Sequence, residues 1–319
     1  MRIINRSSEL DNSSKTAEQN VTLLPAKSND DQTLNDFHKT QFIITTVLFT
    51  LGLFGNISII LALRGLKSIT SILTIYLAII DTLSLMSKDI ADGLIYLNTE
   101  NFGTLYCVEW HIPVNVFVLL GNWILVLLCT ERFILIFSPF LYRSMVTTRR
   151  VHVTMATMLI IFVVFSVVLH FTTTSDDSLN QCMMLNISVN VRSIIMFVLV
   201  YIAPILLTSV LTASVIAKLH FCRQKSVHVG KSNIRQKLEG SLSRIMLSTA
   251  ILFVTLTFPG TIYFCLIWPT LDYQGVNTVL DITLTLFIDS THILNFVAYL
   301  IFVEPFRKSF RRIMTRGPM

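Results

Sequence analysis

Charged side chains inside long apolar stretches are the first residues in this sequence that could do chemistry. They include Asp81, Asp89, Asp92, Arg132 and Asp289, with Lys88 a cation near the acids of span two. An ionised side chain within a membrane is costly unless it is paired, so each of these positions is a candidate functional site. No Gly-rich phosphate loop, His/Glu metal spacing or serine nucleophile motif accompanies them. These residues therefore favour ligand binding over catalysis, and we expect neither an enzyme nor a cofactor.

The composition indicates the environment of these charges. Hydrophobic residues make up 53% of the 319 positions, charged residues only 14%, and the mean hydropathy is +0.66. A soluble domain needs more charge to cover its surface. Each apolar window can cross a hydrocarbon core of about 30 Å, and in lipid the helix satisfies the backbone. The predicted spans one to seven are residues 41–63, 72–97, 107–137, 152–170, 190–219, 245–268 and 277–303.

These spans predict an all-α membrane protein, a seven-transmembrane helix bundle over residues 41–303. The polar residues 1–40 are expected to form a disordered tail. Residues 304–319 alternate basic and apolar side chains, with Phe306, Phe310 and Ile313 on one side. This pattern predicts a short amphipathic helix on the cytoplasmic membrane surface.

Basic residues set the expected orientation. The loops 98–106, 171–189 and 269–276 contain no Lys or Arg, whereas the opposite loops and the C-terminal tail are rich in both. By the positive-inside rule, the N-terminus is extracellular and the C-terminus cytoplasmic, as in a multi-pass protein of the plasma membrane. N-glycosylation patterns at Asn5, Asn12, Asn20 and Asn186 agree. The net charge of +6 is thus a topology signal, and nucleic acid is not an expected partner.

Two of the five cysteines, Cys107 and Cys182, fall on the predicted extracellular side. In that oxidising compartment a disulfide between them would hold the loop after span four over the mouth of the bundle. Two free thiols are the alternative.

The triplet Glu131-Arg132-Phe133 at the end of span three is the most specific motif of the sequence. Arg132 follows Cys107 by 25 residues, and Pro139 lies shortly after it. Further positions fit one pattern in their order and spacing: Gly55, Asn56, Asp81, Pro204, Phe253, Pro259, Asn295, Tyr299 and Phe306. Over roughly residues 40–314 the sequence resembles the rhodopsin-like G-protein-coupled receptors.

The resemblance implies a receptor that binds an extracellular ligand and activates a heterotrimeric G protein inside the cell. Ligand binding would favour an arrangement in which span six swings about Pro259 and uncovers a cleft beside Arg132. The residues of this switch would be Glu131, Arg132, Phe253, Pro259, Asn295 and Tyr299.

The sequence departs from the family pattern where the moving parts lie. Span four lacks the usual tryptophan, Thr257 stands at the position of the span-six tryptophan, and Thr212 at that of the span-five tyrosine. Phe296 replaces the proline of the span-seven Asn-Pro-x-x-Tyr motif, so we expect a straighter span seven.

By the same resemblance, Asn56, Asp81 and Asn295 belong to a buried polar cluster that holds a sodium ion in relatives. Gly121 and His292 stand where serine is common. His292 lies about one turn before Asn295, on roughly the same helix face. We hypothesise that His292 pairs with Asp81 and, when protonated, replaces the ion. Sodium at Asp81, or a neutral His292 hydrogen-bonded in the core, is the alternative.

Acidic residues gather in the half of the bundle expected to face outward. Asp89, Asp92, Glu109 and Asp289 are the candidates for ligand binding, whereas Asp281 fits a solvated loop equally well. Such a concentration favours a cationic ligand, and we expect a basic or amidated neuropeptide of the FMRFamide-like type. A chemosensory or lipid receptor is the alternative within the class. A secondary transporter is the alternative outside it, because intramembrane acids also mark ion pathways, although the sequence has no internal repeat.

Overall fold

The computed structural model describes residues 27–65, 68–97, 111–170, 173–176, 181–184, 195, 197–226, 234–263, 267, 278–302, 306–307 and 310–311. For part of these, including 27–38 and 234–247, the backbone alone is described. Cys107, Glu109 and the four predicted glycosylation positions lie outside the described residues.

Long α-helices dominate the described part of the chain, and one corresponds to each predicted span. We keep the names span one to span seven for these helices. In chain order they are Lys27–Leu63, Ile69–Leu97, His111–Phe137, Thr148–His170, Ala203–Ser226, Ile234–Ile262 and Thr278–Phe302. A π-helical turn, Phe197–Ile202, precedes the α-helix of span five. A short helix, Pro139–Met145, connects spans three and four.

The lengths and apolar character of these helices suit a membrane. Over the residues that the structure describes, 6 helices are long and apolar enough to cross one. The exception is span six, whose apolar part within the described residues is Ser248–Ile262. Six full spans and one shorter apolar helix confirm the predicted all-α membrane fold.

Span one begins earlier than the sequence predicted. Its helix starts at Lys27 and so includes residues 27–40, which we assigned to the disordered tail. The segment contains neither glycine nor proline, and Asp30 and Asp31 lie near the helix N-terminus, where carboxylates interact favourably with the helix dipole. Residues 27–40 are polar and yet helical, so low hydrophobicity did not indicate disorder in this segment.

Each span packs against chain neighbours, and spans distant in the chain also meet. Span one contacts spans two and seven, span three contacts spans two and five, and span six contacts span seven. A core cluster joins span two to span three and includes Leu73, Leu77, Leu120, Ile124 and Leu128. This packing places the polar residues of spans one, two, three and seven side by side.

A small hairpin follows span four. Strand β1, Thr173–Asp176, pairs antiparallel with strand β2, Gln181–Met184, and Ser175 lies opposite Cys182. These strands were not predicted from the sequence, because segments of only four residues are too short to show the alternation of a strand. The side chain of Cys182 is not among those described, so its disulfide with Cys107 stays a prediction.

An aromatic cluster attaches the segment after span seven to the bundle. Phe306 and Phe310 are helical, and their rings stack with centroids 6.2 Å apart. Phe310 also contacts Phe54 of span one at 6.5 Å and Phe296 of span seven at 5.6 Å. Arg307 donates from Nη1 to the carbonyl oxygen of Leu300 near the end of span seven, 3.2 Å away, as basic side chains often do at helix C-termini.

Phe296 lies at the centre of that cluster because span one makes room for it. The helix of span seven runs through Phe296 without a break. Gly55 of span one approaches so closely that an added Cβ atom would lie 2.9 Å from the Cβ of Phe296. Only glycine fits this contact. Phe296, which replaces the family's proline, is therefore tightly packed against span one.

Candidate functional site

Glu131 and Arg132 form a buried polar network at one end of the bundle, which we name the Arg132 end. Their side chains are 3% and 5% exposed, and Arg132 Nε lies 3.2 Å from Glu131 Oε2. That distance makes an ion pair, although the N–H direction does not give a hydrogen bond between these two atoms. Arg132 Nη2 instead donates to Thr70 Oγ1 of span two at 2.6 Å, and Thr70 in turn donates to Glu131 Oε1 at 3.1 Å.

Tyr142 of the connecting helix Pro139–Met145 completes this network. Its hydroxyl donates to Glu131 Oε1 at 2.9 Å. Burial and the neighbouring Glu131 carboxylate raise the pKa of Tyr142 above its ordinary value, because both disfavour the phenolate. Tyr142 therefore remains a donor, and Glu131 is held by two hydroxyls as well as by Arg132.

Two other predicted switch residues lie close to span two or span three. The Tyr299 hydroxyl is 2.8 Å from Thr74 Oγ1, one turn beyond Thr70 on span two. Phe253 of span six is buried against Leu125 of span three and Ile205 of span five. Tyr299 thus connects span seven to span two, and Phe253 connects span six to spans three and five.

Pro259 lies on the exposed side of span six, inside the helix. Because proline has no N–H, the helix loses one backbone hydrogen bond there. Thr257, where the family carries tryptophan, is 2% exposed and donates to the carbonyl oxygen of Phe253 at 2.6 Å. At Gly260 an added Cβ atom would lie 2.7 Å from Ile288, so span seven packs against this weakened part of span six.

Pro204 creates a similar loss in span five, and two residues of span three compensate for it. Neither Leu199 nor Val200 can receive a hydrogen bond from residue 204, in π-helical or α-helical register respectively. Asn122 Nδ2 donates to the carbonyl oxygen of Val200 at 2.8 Å, and Trp123 Nε1 donates to that of Leu199 at 3.1 Å. Side chains of span three are therefore hydrogen-bonded to the backbone of span five.

Asp81 forms the polar centre of the bundle, and it is 2% exposed. Its Oδ1 lies 2.8 Å from His292 Nδ1, and its Oδ2 accepts from Asn295 Nδ2 at 2.8 Å. Asn56, the fourth member of the predicted cluster, is fully buried, but neither of its side-chain polar atoms has a partner among the described residues. The structure brings three of the four together.

A cavity borders this cluster. Asp81, Gly121, Asn122, Phe253, His292 and Asn295 are among the residues that line it. The acids of the opposite half, Asp89, Asp92 and Asp289, do not belong to its lining.

Lys88 and Asp289 form an ion pair between spans two and seven, in the half of the bundle that we name the Asp92 end. The Asp289 side chain is 2% exposed and that of Lys88 is 22% exposed. Asp289 Oδ2 has no hydrogen-bond partner among the described residues.

Asp92 lies on the same face of span two as Lys88, one turn further on. Its Oδ1 accepts from Gln41 Nε2 of span one at 3.0 Å, while its Oδ2 is buried without a described partner. Asp89 points elsewhere: it accepts from Thr46 Oγ1 of span one at 2.6 Å and is half-buried. The structure thus groups Asp92 with Lys88 and Asp289 where spans one, two and seven meet. Glu109 and the side chain of Asp281 lie outside the described residues.

Sequence reasoning missed several partners in these networks. They are Thr70, Thr74, Tyr142, Asn122, Trp123, Gln41 and Thr46. Asn122 gave a usable signal, because an amide in an otherwise apolar span must find a partner. Threonines gave none, since their hydroxyls can return to their own helix backbone.

The described helices form a membrane bundle with an ion pair near each end. A comparison with protein families matches residues 55–299 to the 7 transmembrane receptor (rhodopsin family). The chain therefore belongs to the rhodopsin family of seven-transmembrane receptors. Members of this family are multi-pass membrane proteins that signal, and they are not enzymes, which confirms the receptor class predicted from the sequence. A comparison with curated proteins found no match.

Proposed function

We propose that this receptor binds a basic extracellular ligand, a peptide with an arginine side chain, a free amine or an amidated terminus, and activates a heterotrimeric G protein. The Asp92 end would face the outside of the cell and the Arg132 end the cytoplasm. The distribution of Lys and Arg in the loops supports this orientation, as do the glycosylation patterns of the tail.

The two unpartnered carboxylate oxygens carry the proposal for the ligand. Asp92 is 8% exposed and Asp289 1% exposed, and one oxygen of each lacks a hydrogen-bond partner among the described residues. Burying an unsatisfied carboxylate oxygen is costly, whereas a guanidinium or ammonium group satisfies it with a charge-assisted hydrogen bond.

The charge balance supports the same conclusion. Asp92 lies within electrostatic reach of two further acids, Asp89 and Asp289, and of one cation, Lys88, which is paired with Asp289. Acids therefore outnumber cations at this place, and the excess favours a basic group over a lipid or an acidic ligand.

At the Arg132 end, signalling would follow from a change in the partners of Glu131 and Arg132. The described contacts hold Arg132 to span two and Glu131 to the connecting helix through Tyr142. A G protein that binds Arg132 better when these contacts are broken would shift the bundle toward that arrangement.

The ligand class can be tested with a library of amidated and basic neuropeptides and a promiscuous G-protein reporter. We expect basic peptides to activate the receptor. Asp92→Asn and Asp289→Asn should each raise the half-maximal concentration roughly 30-fold or more, as loss of a desolvated charge pair does.

Asp89→Asn is the matched control. It neutralises an acid on the same helix whose described partner is Thr46, and it should change the response less than about threefold. Cell-surface amounts of all variants would be measured by antibody labelling. An unchanged dose response in both Asp92→Asn and Asp289→Asn, or full activation by an acidic or uncharged ligand, would contradict the proposed ligand class.

A further inference from the structure

Two donors from span seven already occupy the carboxylate of Asp81. His292 Nδ1 lies 2.8 Å from Oδ1, and Asn295 Nδ2 donates to Oδ2 at 2.8 Å. An ionised carboxylate only accepts hydrogen bonds, so when Asp81 is ionised, Nδ1 of His292 carries the proton of this contact. That holds for the Nδ1–H neutral tautomer and for the imidazolium alike.

The resemblance to the family implies a sodium ion at this carboxylate, and the residues present do not fit one. A hard cation takes oxygen ligands, and the N–H of His292 presents a positive hydrogen where the ion would need a lone pair.

Gly121 removes a further ligand from the site. An added Cβ atom at this glycine would lie 3.6 Å from Asp81 Oδ1, with Ile80 Cγ2 the next nearest atom at 3.7 Å. The Cβ atom of a serine would therefore fit at this position without a clash, next to the carboxylate. Glycine offers no oxygen there.

The polar lining of the adjoining cavity is otherwise uncharged. Asp81 and His292 are its titratable side chains, and the remaining polar members are Asn122, Thr249, Thr291 and Asn295. A cation in this space would meet one carboxylate whose two oxygens both already have a donor.

We propose that the Asp81 site of this receptor excludes sodium, and that His292 takes the place of the ion as the partner of Asp81. The inference rests on the contacts of Asp81 and does not depend on the ligand class proposed above. If sodium is excluded, the stability of the receptor should be the same in sodium as in other monovalent cations.

Thermal unfolding of the full-length receptor in detergent tests this directly, with sodium chloride compared with potassium chloride at equal ionic strength. We expect the wild-type Tm to be the same in both salts at every concentration. The Gly121→Ser/His292→Ser double variant should gain a saturable rise in sodium of about 2–4 °C at concentrations well above its Kd, because an ion bound only to the folded state stabilises it.

Asp81→Asn in the double-variant background is the control and should abolish the gain. A saturable, sodium-specific Tm rise in the wild type that Asp81→Asn removes would overturn the proposal. So would a folded double variant without any sodium response, because His292 and Gly121 would then not be what excludes the ion. If the double variant does not fold, His292→Ser alone is measured against the same two outcomes.

Discussion

Asn122 of span three donates a hydrogen bond to the carbonyl oxygen of Val200, the acceptor that Pro204 leaves without an α-helical donor. Asn122→Leu keeps the shape of the side chain and removes the donor. We expect it to lower the free energy of unfolding by about 1–3 kcal/mol, the cost of a buried unsatisfied acceptor. Thermal unfolding measures this loss.

Thr130→Val is the matched control for Asn122→Leu. It removes a hydroxyl of the same helix that donates to Val126, a carbonyl that keeps its own helical donor, so the effect should be near zero. Pro204→Ala restores an N–H in span five and should reduce the cost of Asn122→Leu. If Asn122→Leu lowers the free energy of unfolding equally with and without Pro204, the Asn122 amide does not compensate for the donor that Pro204 lacks.

The Lys88 and Asp289 ion pair should appear as a coupling energy. Lys88→Met leaves the Asp289 carboxylate buried without its cation and should lower the Tm markedly. Adding Asp289→Asn should restore part of that loss, with a coupling of about 2 kcal/mol or more in a double-mutant cycle. Lys88→Met combined with Asp89→Asn is the control pair. If both pairs are equally additive, the ion pair does not stabilise the fold.

Gly55→Ala should destabilise the receptor, because the new Cβ atom would lie 2.9 Å from the Cβ of Phe296 and neither helix can yield cheaply. We expect a loss of about 1–3 kcal/mol by thermal unfolding. Gly65→Ala has no heavy atom within 4 Å of the added Cβ and should change the stability by less than about 0.5 kcal/mol. A neutral Gly55→Ala would mean that spans one and seven are not in close contact.

Tyr142→Phe removes one hydroxyl from Glu131 and should raise ligand-independent G-protein activation at equal surface amounts. The raised pKa of Tyr142 also predicts the pH dependence of its contribution to stability. That contribution is fully present below the ordinary tyrosine pKa of about 10 and is lost as the pH rises through the higher folded value. The Tm difference between wild type and Tyr142→Phe should therefore be constant from about pH 6 to 9. A difference that shrinks within this range would contradict a protonated Tyr142.

The helices and the family followed from the sequence, because hydropathy and motif spacing are local properties. Apolar length located six full spans and the shorter apolar helix of span six, and motif spacing, above all from Cys107 to Arg132, pointed to the receptor class. Polarity misplaced the start of span one, since residues 27–40 are helical without being apolar.

Partners across helices were harder to predict. Periodicity shows which residues share a face of one helix, but not which residue of another helix meets that face. Lys88 was visible as a cation among acids, yet only packing shows that its partner is Asp289 and that Asp89 contacts Thr46. Predicting the partner of Asn122 would have required the position of span five relative to span three, which no sequence motif encodes.

Span two contacts a partner at every level of the bundle. Thr70, Thr74, Asp81, Lys88 and Asp92 bind, in that order, residues of spans three, seven, seven, seven and one. At about 100° per residue, these five positions fall within roughly 40° around the helix axis. They form one seam, so a small twist of span two about its own axis would strain all five contacts together. If the proposed basic ligand binds beside Asp92, rotation of this single helix would carry its effect to the contacts that hold Arg132 at the other end of the bundle.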